Sequence, residues 1–467
     1  MDKANENKSI LKVVALIWIL IECNLVAGNI FGFASLFGVL RQQNIYSSKC
    51  KLVSEGIGSN RTYADCHGQI NEYQFAFALG IGFYNLPAMA IGMINDYFGP
   101  RFLKLIGIVF HLISWLSLGF LAPGRDWLLL SHTILLSLAG ICTLLSSFSI
   151  AAHFKQNRGL VTALISGAQL AGSIWFATFQ VLIEKKIVSL STLAFVWVSF
   201  ALLMLASAFL FLDWRFLWLD SKLKVKPTRQ EGVKTDEQDN LVEHVTNPLF
   251  VVVTLFLSCL LLTISFLPVV WYPWLKYLTG GDDVLTNRYT FLYSISAVVG
   301  LVIAPLCGLI VDFRASRGTT QKMLNISVLQ TLTWIASIAL CIVCMFRSIA
   351  AALTTLGILL FSRTMLVAGS QALIAAVFPP RFIGSLLGIM WTTAGVISLT
   401  TYGLVRLATN PEHYWRAWLV ILVLCFIMGG HLVQLWVLYF RSKESKKCEN
   451  LEVHAEEMET LKSSNDM

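Results

Sequence analysis

The chain has 467 residues, 56% hydrophobic and 13% charged, with a mean hydropathy of +0.69. Soluble domains carry about 25% charged residues, so two or three soluble domains with polar surfaces are excluded. The formal charge of +8 then reads as loop charge at a membrane face, not as a nucleic-acid footprint.

A bilayer span takes about 20 mostly apolar residues. Reading for such runs predicts twelve spans: 12–40, 73–95, 102–122, 127–152, 160–183, 191–212, 249–275, 286–311, 321–345, 349–378, 386–409 and 417–440. The polar start "MDKANENKSI" precedes a run too long for a signal peptide. Barrel strands would alternate polar and apolar residues, and these runs do not.

Span 1 carries an acid, Glu22, with Asn29 on about the same helix face. The 41–72 loop places Cys50 and Cys66 around an N-glycosylation sequon at Asn60. A disulfide is expected there if the loop is extracellular; two free thiols are the alternative. Span 2 contains Asn85–Pro87, a helix breaker, and ends in "GMINDYFGPR" at 92–101. Span 4 offers Thr143, Ser146 and Ser147, followed by "AAHFKQNRG" at 151–159. A polar segment, 213–248, separates spans 6 and 7. Span 7 offers Thr263, Ser265 and a second breaker, Pro268; Phe31, Phe33, Trp271 and Tyr272 are candidate rings for stacking on a planar ligand. Span 8 ends in "GLIVDFRASR" at 308–317, and span 9 holds "CIVC" at 341–344, which lacks the further ligands of a metal site. Span 10 carries a base, Arg363, with Ser370 and Gln371, then "AAVFPPRFIG" at 375–384. Trp127, Trp271, Trp274, Trp415 and Trp418 fall near span ends, where interfacial aromatics belong.

With both termini cytoplasmic, 22 of the 35 Lys and Arg residues collect on the cytoplasmic side, as the positive-inside rule asks. Of the sequons at Asn7, Asn60 and Asn325, that topology leaves only Asn60 outside.

The two ten-residue blocks share Gly first, Asp fifth and Arg tenth: Gly92, Asp96 and Arg101, then Gly308, Asp312 and Arg317. Together with the pair of "AA" loops, they repeat at equivalent places in two six-span halves, the mark of duplication. The expected organisation is a first half at 1–212, a central loop at 213–248, a second half at 249–440 and a tail at 441–467.

"GMINDYFGPR" resembles the G-x-x-x-D-[RK]-x-G-[RK]-[RK] loop of the major facilitator superfamily, departing at Tyr97 and Pro100. In the second copy Ala315 replaces the second glycine, Gly99 in the first. The resemblance implies an all-α fold of twelve helices in two halves, with these loops steadying the outward-facing state. An Asp beside a helix N-terminus meets its positive dipole, and Arg is able to bridge to the Asp. "LIECNLVAGNIFGFASL", "NRTYADCHGQ", "FGPRFLKLIG", "SRTMLVAGSQALIAAVFP" and "GSLLGIMWTTAGVISL" further resemble the solute carrier 43 family, its nucleobase branch more than its L-type amino-acid branch.

A mid-span charge costs at least about 2.5–3.5 kcal/mol on insertion scales and usually faces a cavity or a partner. Counted at 1.5 Å per residue, Glu22 lies about 15 Å deep and Arg363 about 22 Å deep. The superfamily resemblance puts spans 1, 4, 7 and 10 around a central cavity. Three readings stand: the pair binds substrate, forms an ion pair between the halves, or serves the fold alone. Each Ser or Thr taken singly is more often a helix contact or a back-bonded hydroxyl.

The expectation is a monomeric plasma-membrane carrier, without cofactor or metal, that moves a small organic solute down its gradient independently of sodium. Purine nucleobases lead, with large neutral amino acids second. A channel lacks the ring-like repeats it would need, an enzyme lacks a catalytic cluster, and a non-transporting sensor or scaffold with a carrier fold is the third reading.

Overall fold

The computed structural model describes residues 2–54, 62–65, 67–154, 156–213, 241–408 and 413–465. Eleven helices among them are long and apolar enough to cross a membrane. The twelfth expected span, the eighth in order, is split. Helix Asp283–Ser296 and helix Gly300–Asp312 join through a 3₁₀ turn at Ala297–Val299, so neither piece reaches spanning length alone.

The molecule exposes large apolar side chains on its surface and buries hydroxyls within its apolar core. Ile17, Val109, Leu202, Phe209 and Val302 stand exposed, while Ser114, Thr133, Ser137, Ser258 and Ser337 are buried. That is the arrangement for a protein whose solvent is hydrocarbon, where buried hydroxyls tie helices together. Trp271, Trp274 and Trp418, expected near span ends, are buried among neighbouring side chains. Trp127 is 65% exposed.

Span 1 is not one helix. Its α-helical part ends at Glu22, a π-turn runs over Cys23–Ala27, and a 3₁₀ stretch covers Asn29–Leu36 before α-helix resumes at Phe37–Gln42. Irregular backbone at membrane depth is tolerated where protein buries it, and Cys23, Val26, Ala27, Asn29 and Ile30 are all buried. Span 2 breaks at Leu86–Pro87, between helices His67–Asn85 and Ala88–Phe98. Pro268 behaves differently: it and Pro273 lie within one continuous helix, Pro248–Leu278.

The break in span 2 frees backbone groups that Thr392 of span 11 satisfies. Its hydroxyl lies 3.2 Å from Asn85 O and 3.0 Å from Leu86 O, able to donate to either, and accepts from Met89 N at 2.9 Å. The last helix runs from Trp415 to Asn465, well past the end of span 12. In the loop after span 1, Lys51–Ser54 pairs antiparallel with Thr62–Asp65. Asn60 and Cys66 lie outside the described residues.

Candidate functional site

The end of the bundle that holds the 2–3 and 8–9 connections is closed by two matching latches. Asp96 accepts from Gly384 N at 3.1 Å and from Ser385 N, at the start of span 11. Asp312 accepts from Gly159 N at 3.2 Å and from Leu160 N at 2.7 Å, at the start of span 5. Each carboxylate thus meets the unpaired N–H groups and positive dipole of a helix in the other half. Asp312, one residue past the predicted eighth span, has its pKa raised by burial, against the pull of the two N–H groups and Arg158. The two repeated sequence motifs are therefore each other's partners, crosswise: the Asp of one block caps the helix that follows the other "AA" loop.

Gly92 and Gly308 permit these latches. A Cβ on Gly92 would overlap the Gly384 carbonyl, and one on Gly308 would overlap the backbone of Leu160. The helices touch backbone to backbone at these points.

The arginines do not bridge to the aspartates. Arg101 Nε donates to Ala208 O and Leu212 O, both at 2.8 Å, so it caps the end of span 6. Arg317 stands exposed in a 3₁₀ turn, Ala315–Arg317, which the second connection inserts before span 9. After that turn Gly318, with φ +112°, does what Gly99, with φ +92°, does in the first copy. Both precede a helix in a conformation that side chains disfavour. Ala315 is thus not the replacement for Gly99, and the tenth-place arginines are not equivalent.

Glu22 has a partner that the sequence reading missed. Lys104 of span 3 donates to Glu22 Oε1 and reaches Ser147 Oγ at 3.4 Å, with both charged side chains fully buried. The pair lies within the first six spans, and of the three readings the ion pair between Glu22 and Arg363 is not formed in this state. A lysine two residues inside the predicted third span reads from sequence as snorkelling to the interface. Only the fold shows it turned inward.

The remaining candidates divide. Ser146 and Ser147 donate to Thr143 O, Thr263 to Leu260 O, and Ser265 to Leu261 O, all within their own helices. Thr143 Oγ1 is buried without a partner. Asn29 Nδ2 donates to Leu25 O at 2.8 Å, and its Oδ1 is unpartnered. Gln371 accepts from Ser166 of span 5, a contact between the halves, and Ser370 is buried near it in sequence.

Arg363 makes no hydrogen bond or ion pair among the described residues. Its guanidinium sits 5.9 Å from the Phe31 ring centroid, within cation–π range. The small cavity beside it, about one water in size at ≈ 10 Å³, is lined by Leu170, Tyr293, Ser296, Gly300, Leu359 and Thr364, among others, with no carboxylate. Phe31 meets Tyr84 at 5.0 Å between centroids, and Tyr84 meets Trp391 at 6.4 Å. On the other flank Tyr293 lies 5.2 Å from Trp271. Tyr84 Oη and the indole nitrogens of Trp391 and Trp271 are buried and unpartnered. Phe31 of the first half and Tyr293 of the second thus flank one cation, and each is packed on further rings. Phe33 packs elsewhere, against Phe37, Phe77 and Phe176, and Tyr272 is exposed.

Residues 26–401 match the Major Facilitator Superfamily. The chain belongs to that superfamily. This facilitator is 22% identical over 467 aligned residues to equilibrative nucleobase transporter 1 of Bos taurus, covering 90% of this chain and 96% of the relative. It is also 22% identical to the large neutral amino acids transporter small subunit 3 of Homo sapiens, over 90% and 93% of the two chains. Among solved structures, the proton:xylose symporter XylE bound to 6-bromo-6-deoxy-D-glucose superposes with a TM-score of 0.59 at 13% identity, covering 92% of this facilitator and 96% of XylE. By family and fold, this facilitator is a multi-pass membrane transporter and not an enzyme. Among the described residues no group of three or more His, Cys, Asp or Glu is placed to hold a metal ion.

Proposed function

We propose that this facilitator carries purine-type nucleobases down their gradient, independently of sodium, by alternating access at the plasma membrane. The observation that carries the reading is an uncompensated Arg363 flanked by Phe31 and Tyr293, one ring from each half, with Tyr84, Trp391 and Trp271 packed behind them. Planar heterocycles need ring faces to stack on and edge hydrogen bonds, and these residues supply both. The similarity to a nucleobase transporter points the same way.

In this reading both termini are cytoplasmic, as the basic loops ask. Gly92, Asp96, Gly308 and Asp312 form the cytoplasmic gate, closed here, and rocking of residues 1–212 against 249–440 breaks and remakes it. The central segment 213–248 and the tail 441–467 lie in the cytoplasm, and the carrier works as a monomer. The 41–72 loop is extracellular, with a Cys50–Cys66 disulfide and a glycan on Asn60.

A large neutral amino acid is the second reading. The non-α stretch of span 1 places backbone polar groups at membrane depth, where carriers bind charged substrate groups. The zwitterion clamp of Glu22 and Arg363 does not support it, since Lys104 already occupies Glu22.

The deciding experiment is uptake in cells lacking endogenous carriers, with labelled hypoxanthine or adenine against labelled leucine or phenylalanine, with and without sodium and a proton gradient. Saturable nucleobase uptake indifferent to both gradients supports the proposal. Leucine uptake alone moves the carrier to the second reading. Ligand binding without flux makes it a sensor.

A further inference from the structure

The charged groups within the spans are unequal in kind. Arg363 is a permanent cation with five N–H donors and no acceptor, and it lies among ring faces with no carboxylate lining its cavity. The unpartnered indole nitrogens of Trp391 and Trp271, further out along these ring contacts, are donors too. The one buried mid-span carboxylate described, Glu22, is neutralised by Lys104. A substrate that completes this site has to bring acceptors.

Purines differ on this point along one edge. A 6-oxopurine such as hypoxanthine or guanine presents two adjacent acceptors, O6 and N7, whereas adenine presents N7 beside a 6-amino donor. The guanidinium fork matches two acceptors in its plane and sets one of its N–H groups against the adenine amino group.

We propose that Arg363 reads the O6/N7 edge of the base, so that this carrier prefers 6-oxopurines to adenine. The inference rests on the nucleobase reading above. The Phe31 ring lies 5.9 Å from the guanidinium, and Arg363 lines the small cavity together with Tyr293, Ser296, Gly300 and Thr364. The cavity in this state admits about one water, ≈ 10 Å³, so the base enters in a wider state and meets Arg363 as the rings close on it. A purely structural arginine would be expected to have its N–H groups bonded to carbonyls, as Arg101 has.

The test uses the purified full-length carrier in liposomes loaded with no nucleotide-metabolising enzyme. Tritiated hypoxanthine uptake is measured with guanine, adenine and 7-deazahypoxanthine as competitors. Guanine should compete better than adenine by about 5- to 150-fold, the range over which a bidentate arginine–base pair discriminates. The 7-deaza compound, which lacks the second acceptor, should compete as poorly as adenine. These comparisons need no variant, so a misfolded mutant cannot obscure them. Arg363→Gln should then level hypoxanthine and adenine, and Arg363→Lys, which keeps the charge but not the fork, should retain uptake and lose the preference.

Equal competition by adenine, guanine and the 7-deaza base overturns the proposal while leaving the nucleobase reading intact. Equal losses for adenine and hypoxanthine in both Arg363 variants also overturn it. Absence of uptake of any purine, with leucine carried instead, removes the underlying reading itself.

Discussion

Replacing Lys104 with methionine removes one charge from the middle of the first six spans and leaves the other in place. Glu22 and Lys104 are both fully buried, Lys104 also reaches Ser147 Oγ at 3.4 Å, and Glu22 Oε2 has no partner. Methionine keeps most of the apolar stem, so packing changes little, but Glu22 loses the cation beside it. Breaking a buried ion pair from one side costs about 3–5 kcal/mol, because the remaining charge is uncompensated. Glu22→Gln leaves the lysine stranded at a similar cost. The double variant Glu22→Gln with Lys104→Met removes both charges, and exchanging a whole buried pair for neutral groups is often neutral or stabilising. Each single variant should therefore lose thermal stability in detergent, read by fluorescence-detected size-exclusion after a heating series, and the double should recover most of it. Uptake by the double variant at matched surface expression should stay near wild type, since Glu22 is engaged by Lys104 and not by substrate. A stable double variant that does not transport would refute this reasoning and return Glu22 to the substrate path. Single variants as stable as wild type would refute it too.

Three further outcomes follow from the gate and the outer loop. Asp96→Ala and Asp312→Ala each strand two helix-terminal N–H groups and a dipole contact of about 0.3–1 kcal/mol, up to about 2 when partly buried. Both should raise cytoplasmic maleimide labelling of a cysteine placed at Ser149, which lines the space behind Asp96; unchanged labelling in both would count against a latch. Gly92→Val drives its side chain into the Gly384 carbonyl, an overpacking of about 1–3 kcal/mol or more, and should cut uptake while surface expression persists. Asn60→Gln should abolish the mobility shift given by N-glycosidase, and Cys50→Ser and Cys66→Ser should produce the same non-reducing digest pattern if the two cysteines form one bridge.

The spans were legible because hydrocarbon is an unforgiving solvent: twenty apolar residues in a row have few other uses. The inner details were legible only where a motif repeated. Asp96 and Asp312 announce themselves by recurring, and the "AA" loops that follow spans 4 and 10 end at Gly159 and Gly384, the partners of those aspartates. The arginines misled, because matched spacing in a sequence does not register an inserted 3₁₀ turn. Gly318, three places past Ala315, restores the positive φ before its helix. Lys104 was invisible because its distance from a span end is that of an ordinary interfacial lysine. The rings near Arg363 were half legible. Phe31 and Trp271 stood out, but Tyr84, Tyr293 and Trp391 read as ordinary span aromatics until the helices brought them together.

The break at Leu86–Pro87 divides the loyalties of span 2. Its first segment, His67–Asn85, packs chiefly on span 4 of its own half, while Ala88–Phe98 packs chiefly on span 11 and is bonded to it at both ends, through Met89 to Thr392 and through Asp96 to Gly384 and Ser385. Span 8 repeats the pattern, with Gly300–Asp312 beyond its 3₁₀ turn lying on span 5. In this conformation each half has lent one short helix to the other. In this state the packing of the two halves therefore changes partner at the middle of spans 2 and 8, and the contacts that must part lie beyond those breaks. Opening the gate has to return both loans, and a crosslink from Ala88–Phe98 to span 11 should arrest the cycle as effectively as one joining the halves directly.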